Sequence, residues 1–266
     1  MKRFLKTACI ALALLAPVPA TAGSSASGNP VLPAAEVAGF ADRVQHDLAA
    51  RGAQVAIVAR VGRDPAVLPD GIDYTHVAFW VYARITRADG STGQGYRVYN
   101  LYQRDGDLTR SDLVQDSPAE FFANVHDLDA GVIIPDTRLQ RKILAVIASP
   151  TYAALHNPDY AVLSNPRNRQ FQNCTEHTLD VLMAAIYGTD DPLRIKANIA
   201  AHFTPQPIPV NGLQRLFAPV ASAALTTSDH DGQVATATFG SLARFMAQYD
   251  LADEIYRITP DGSRRF

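Results

Sequence analysis

Cysteine is almost absent from this chain. Its 266 residues hold two, Cys9 and Cys174. Cys9 falls in an N-terminal stretch that reads as a leader removed on export, so the mature chain keeps only Cys174. That excludes an internal disulfide and leaves Cys174 either a buried apolar side chain or a reactive thiol. Long apolar runs are lacking as well. Ala8 to Leu15 is shorter than the roughly 20 residues that cross a bilayer, and no later run is longer and as apolar. No transmembrane segment is therefore expected once the leader is gone. Basic clusters are missing: 24 Lys and Arg stand against 26 Asp and Glu, a formal charge of −2. Loss of Lys2, Arg3 and Lys6, three positive charges, takes it to −5. Such a chain is a poor nucleic-acid binder. The histidines and Cys174 show no metal-ligand spacing, and neither metal nor cofactor is expected. Repeats, low-complexity tracts and a clear domain boundary are also absent.

What is present begins with the leader. Lys2, Arg3 and Lys6 precede the apolar run, and Ala20-Thr21-Ala22 fits the small-x-small cleavage rule. Residues 1–22 read as a signal peptide and 23–32 as a flexible leader. Residues 33–266 read as one α+β domain, in the periplasm or secreted. The hydrophobic fraction of 47% supports a sizeable core.

Pro33 opens a helix over 34–51, with Val37, Phe40, Ala41, Val44 and Leu48 at helical spacing. Strands are expected at 54–61, 75–85 and 96–103, joined by turns at 88–93 and 104–107 into a three-stranded antiparallel meander. Ser117-Pro118-Ala119-Glu120 has the capping-box pattern of a short helix. Further helices are expected at 136–149, 174–188, 191–203, 212–224 and 239–249, and short strands at 160–163 and 235–238.

Cys174 opens the 174–188 helix, within Gln172-Asn173-Cys174-Thr175-Glu176-His177. A thiol there feels the positive end of the helix dipole and unpaired N–H groups, which lower its pKa and can hold an oxyanion beside the sulfur. A thiolate needs a base. His177 lies one turn away, poorly placed for in-line transfer. His76 starts the most apolar strand, where a polar ring must find a partner. An imidazole base needs a group to orient its other nitrogen. On the following strand Tyr96, Val98 and Asn100 share one face, and Arg97, Tyr99 and Leu101 the other. Asn100 is the first choice for that role and Tyr99 the second.

A histidine opening a strand, a polar residue on the next strand and a helix opening with Asn-Cys resemble the circularly permuted papain-like cysteine hydrolases. These are permuted relatives of the NlpC-type peptidases and include the lecithin:retinol acyltransferase-like proteins. Thr75-His76-Val77-Ala78 is similar to their His-Val-Gly strand start, with Ala78 in place of glycine. Asn173 to His177 resembles their Asn-Cys-Glu-His-Phe motif, with Thr175 as an extra residue. Over most of residues 53–190 the chain more closely resembles the bacterial domain-of-unknown-function family numbered 2145.

The wider resemblance implies an antiparallel sheet packed by helices in a permuted papain-like arrangement; residues 191–266 have no counterpart in the small permuted enzymes and read as a helical extension of the domain. It implies attack by Cys174 on a carbonyl, proton transfer to His76 and orientation by Asn100. The Cys174 N–H would hold the oxyanion, with help from Asn173 or Gln172. Substrates would be peptidoglycan stem peptides or lipid and thioester acyl groups. The rival expectation is a non-catalytic envelope protein that keeps the fold as a binding scaffold.

Overall fold

The structure is a computed structural model that describes residues 30–86, 89–209 and 223–266. The expected signal peptide, most of the expected leader and nearly all of the expected 212–224 helix lie outside these residues. In chain order the helices are α1 (Ala34–Ala50), α2 (Pro118–Phe121), α3 (Thr137–Ile147), α4 (Pro150–Ala154), α5 (Cys174–Tyr187), α6 (Pro192–His202) and α7 (Phe239–Gln248). The strands are β1 (Val55–Val61), β2 (His76–Thr86), β3 (Thr92–Arg104), β4 (Asp107–Asp116), β5 (Asp127–Pro135), β6 (Gln206–Pro207), β7 (Ala235–Thr236), β8 (Ala252–Thr259) and β9 (Gly262–Arg265). Seven strands form one antiparallel sheet in the order β4-β3-β2-β1-β5-β8-β9, and β6 and β7 form a separate pair.

The sheet is covered on both faces, and strand alternation assigns residues to each. Ala56, Val58, Ala78, Trp80 and Val98 turn toward α1 and α2. The expected α1 stripe, Val37, Phe40, Ala41, Val44 and Leu48, is buried against them. Val55, Ile57, Val77, Phe79 and Ile133 turn toward α3, α5, α6 and α7. β1 is buried at all seven positions, which is why it reads as a continuous β-branched and alanine run. At Gly131 in β5 the sheet meets α7 closely. A Cβ there would fall 2.5 Å from Phe239 and 2.9 Å from Tyr74.

The sheet differs from the expected three-stranded meander. β4, β5, β8 and β9 are additional strands, and 160–163 contributes only an isolated bridge between Tyr160 and Gln172. The 191–266 segment is not simply a helical extension. Its β8 pairs with β5, and β9 with β8, and Tyr256 and Ile258 join the α1-side core. The reason these strands were missed is legible. β4 is mostly polar and half-exposed, while β8 mixes charged residues into an edge-proximal strand, so neither shows a clean apolar period. No described helix is long and apolar enough to cross a membrane.

Candidate active site

α5 begins where the sequence places it. Asn173 caps the helix, its Oδ1 accepting from the Glu176 N–H at 2.9 Å, and Gly188 closes it with φ of 61°. Twelve of its fourteen residues are buried, so α5 is an internal helix between the sheet, α3 and α6. Its first residue, Cys174, packs on Leu101 and Tyr160 and is 4% exposed.

The sulfur meets the sheet at a break. The β2–β3 ladder runs from Thr86↔Thr92 to Phe79↔Tyr99 and stops there, although β2 begins at His76. The Val77 N–H, beyond the end of that ladder, donates to Cys174 Sγ. Thr175 Oγ1 lies 3.9 Å from the sulfur. The thiol thus sits on the backbone one residue past His76.

His76 is fully buried on the α1-side face. Its ring stacks on Tyr102 at 4.9 Å between centroids and lies 5.5 Å from the Phe121 ring. Its Nε2 donates to Asn100 Oδ1 at 2.9 Å. The amide orientation follows from the far side of Asn100. Nδ2 donates to Asp116 Oδ2 at 2.7 Å and to the Tyr102 hydroxyl oxygen at 3.1 Å, while the Tyr102 hydroxyl donates to the same carboxylate at 2.7 Å. A carboxylate only accepts, so it draws the NH2 end of Asn100 and leaves the carbonyl for His76. Nε2 must then carry the hydrogen. Nδ1 keeps the lone pair, and it is buried with no hydrogen-bond partner among the described residues.

Burial governs the protonation of both groups. It holds His76 well below its ordinary value, aided by the Arg60 charge and opposed by the Asn100 bond. It raises the Cys174 thiol despite the Val77 and Thr175 hydrogen bonds and the pull of Arg60. The expected depression by the helix start is therefore not what the thiol experiences at rest, because desolvation of the anion outweighs the donors. At rest the thiol and the imidazole are both neutral, and no hydrogen bond joins Cys174 Sγ to His76 Nδ1.

The other expected site residues lie elsewhere or are committed. Tyr99 faces away from His76 and packs edge-on against Tyr152 at 5.8 Å. His177 is a satisfied core histidine, 3.2 Å from the Tyr152 carbonyl and pushed by burial down to about 3. Gln172 is no oxyanion donor. Its Nε2 donates to the Leu155 carbonyl at 3.0 Å and to Asp180 at 2.8 Å, and its Oε1 accepts from the Asn157 N–H at 2.8 Å. Asn173 Nδ2 is engaged with the Val162 carbonyl at 3.0 Å and with Thr236 at 3.3 Å. Tyr102, Asp116, Phe121 and Arg60 were not anticipated. Tyr102 could have been, since it lies two residues past Asn100 on the same face; Asp116 could not, because β4 was not recognised.

A cavity of about 250 Å³ opens at Cys174. Leu68, Ile72, Val162 and Leu163 contribute apolar wall, and Arg63 brings a guanidinium to it. No carboxylate is among its described lining residues. The described residues hold no group of three or more His, Cys, Asp or Glu suited to a metal ion.

No curated protein and no solved structure matches the chain. One family model matches residues 47–246, which include every residue of the site above. The chain belongs to that family, described as an uncharacterized protein conserved in bacteria, DUF2145.

Proposed function

We propose that this chain is an exported cysteine hydrolase or acyltransferase that works on an acyl ester or thioester. Cys174 Sγ attacks the carbonyl carbon, and its proton passes to His76 Nδ1. Asn100 holds the ring through Nε2–H, and the backbone N–H at the start of α5 receives the oxyanion. The leaving group departs with the proton, and water or a second acceptor takes the acyl group from sulfur. The observation that carries this reading is the one-way hydrogen-bond chain from Asp116 through Asn100 to His76, which leaves Nδ1 as a buried open base. The largely apolar wall of the cavity, Leu68, Ile72, Val162 and Leu163, favours an acyl chain. The leader pattern at residues 1–22 supports a periplasmic or secreted site of action.

A scaffold that keeps the fold without chemistry has one observation in its favour, the buried thiol raised above its ordinary value. The two readings separate by intact-mass measurement after exposure to p-nitrophenyl esters of graded chain length. The enzyme reading expects one acyl group per chain on Cys174, none in Cys174→Ala, and acylation slowed by about 10²- to 10⁴-fold in His76→Ala. A chain that stays unmodified by every ester, with a thiol equally inert in His76→Ala, belongs to the scaffold reading.

A further inference from the structure

An oxyanion formed at Cys174 needs hydrogen-bond donors beside the sulfur, and the two amide side chains that precede the cysteine do not supply them. Gln172 and Asn173 spend their amide hydrogens on Leu155, Asp180, Val162 and Thr236. Threonine hydroxyls are the next resource, since Thr75, Thr175, Thr236 and Thr238 all line the cavity at Cys174. Three of them hold the cavity wall together. Thr75 Oγ1 accepts from the Gly62 N–H at 2.9 Å, Thr236 Oγ1 donates to the Ser164 carbonyl at 2.9 Å, and Thr238 Oγ1 accepts from the Ser241 N–H at 3.1 Å as the cap of α7. Thr175 differs. It follows Cys174 on the first turn of α5 and is 7% exposed. Among the described residues, its Oγ1 has Cys174 Sγ as partner, at 3.9 Å. A thiol sulfur is a weak acceptor, so the Thr175 hydrogen is held loosely and can turn to a stronger one. The carbonyl oxygen of a bound ester is two bonds from the attacking sulfur. A hydroxyl this close to the sulfur, on the wall of the same cavity, can reach that oxygen at the roughly 2.7–3.1 Å of an oxyanion donor.

We propose that Thr175 is a further catalytic residue, its hydroxyl donating to the oxygen that gains negative charge when Cys174 attacks an ester or thioester carbonyl. This rests on the cysteine-enzyme reading above. The S–C bond forms as the S–H proton passes to His76 Nδ1 and the carbonyl π pair moves onto oxygen. Thr175 gives no proton away. Its O–H turns from the sulfur to the new anion, then relaxes when the electron pair returns, the bond to the leaving group breaks and His76 hands that group the proton. The resting contact is weak and neutral, whereas the contact with the oxyanion is charge-assisted and stronger. Thr175 thus binds the transition state better than the ground state, which is the condition for a rate effect.

Two reactions of the same sulfur separate this role from a merely structural one. Acylation by a p-nitrophenyl ester passes through an oxyanion. Alkylation by iodoacetamide displaces iodide from a saturated carbon and forms none. Both are timed by intact mass in the full chain, for wild type, Thr175→Val and Thr175→Ser. Thr175→Val removes the hydroxyl and keeps the branched shape. It is expected to slow acylation by about 10²-fold, the scale of one lost oxyanion donor, and to leave alkylation unchanged. Thr175→Ser is expected to restore most of the acylation rate. Thr175→Ala, which loses the hydroxyl without putting a methyl group in its place, gives the same reading if Thr175→Val does not fold.

Acylation as fast in Thr175→Val as in wild type overturns the proposal and leaves the enzyme reading in place. Acylation and alkylation that slow together overturn it as well, because Thr175 then acts on the thiol and not on the oxyanion. A wild-type thiol that no ester acylates removes the enzyme reading and this proposal with it, so the two failures are told apart by the wild-type protein.

Discussion

At the scale of the residue, the site is decided by which way one amide points. Asn100 could in principle present either end to His76. The Asp116 carboxylate, which with the Tyr102 hydroxyl takes the NH2 end, settles the choice. Asp116→Asn keeps the shape but removes the obligatory acceptor, so the Asn100 amide is free to turn. Ester acylation of Cys174 is expected to slow by about ten- to a hundredfold, the scale of a small misplacement in a reacting group, with folding unchanged by circular dichroism. An unaltered acylation rate in a folded Asp116→Asn protein shows that Asp116 does not orient Asn100. Burial alone is why the thiol does not begin as thiolate. Both Cys174 and His76 are pushed toward their neutral forms.

At the scale of the element, α5 carries two different chemistries on one helix. Its first residue is the thiol, and one turn on it buries Glu176 and Asp180. Lys196 of α6 donates to Glu176 Oε1 and Asp180 Oδ1, each at 2.7 Å, and ties the two helices together. Burial, with Asp180 beside it and against the pull of Lys196, raises Glu176 to about 8 from its ordinary 4.5. The folded protein therefore holds a proton that the unfolded chain releases. Stability from this group is complete below about pH 4.5 and is lost as pH rises toward 8. Asp180 is raised too and acts in the same sense, whereas Lys196 is raised and acts only at alkaline pH. Glu176→Gln is expected to flatten the fall in urea-unfolding stability between pH 5 and 8. If the slope survives in Glu176→Gln, the group does not titrate in that window. Lys196→Met leaves the buried Glu176–Asp180 pair without its cation and is expected to cost about 3–5 kcal/mol at neutral pH, checked in the same titrations.

At the scale of the whole molecule, the sheet depends on the chain's last strands. β8 covers the edge of β5 and seats Tyr256 and Ile258 in the core beneath α1, and the Tyr256 hydroxyl reaches Asp47 of α1 at 2.5 Å. Removal of residues 251–266 is expected to expose the β5 edge, abolish cooperative thermal unfolding and produce oligomers on size exclusion. A truncated protein that melts like the full chain would show β8 to be dispensable.

Local pattern was enough for α1, β1, β2, β3 and α5, because each buries a periodic apolar face or has strong end signals: the Pro33 start, the Asn173 cap and the Gly188 stop. It was enough as well to put Cys174 at a helix start, His76 at a buried strand start and Asn100 on the face beside it, since these are properties of neighbours in sequence. The identity of the family was also legible, in the short stretches around those residues. What tertiary structure alone decided was anything set by a distant partner. Packing alone buries Arg60 and brings Asp129 to Tyr74 and Asp116 to Asn100. Gln172, Asn173 and His177 stand beside the thiol in sequence, yet long-range hydrogen bonds draw their side chains to Asp180, Thr236 and Tyr152. The protonation state of the thiol belongs to the same class. A helix start is local, but desolvation is the sum of everything packed around the sulfur, and here the sum is the larger effect.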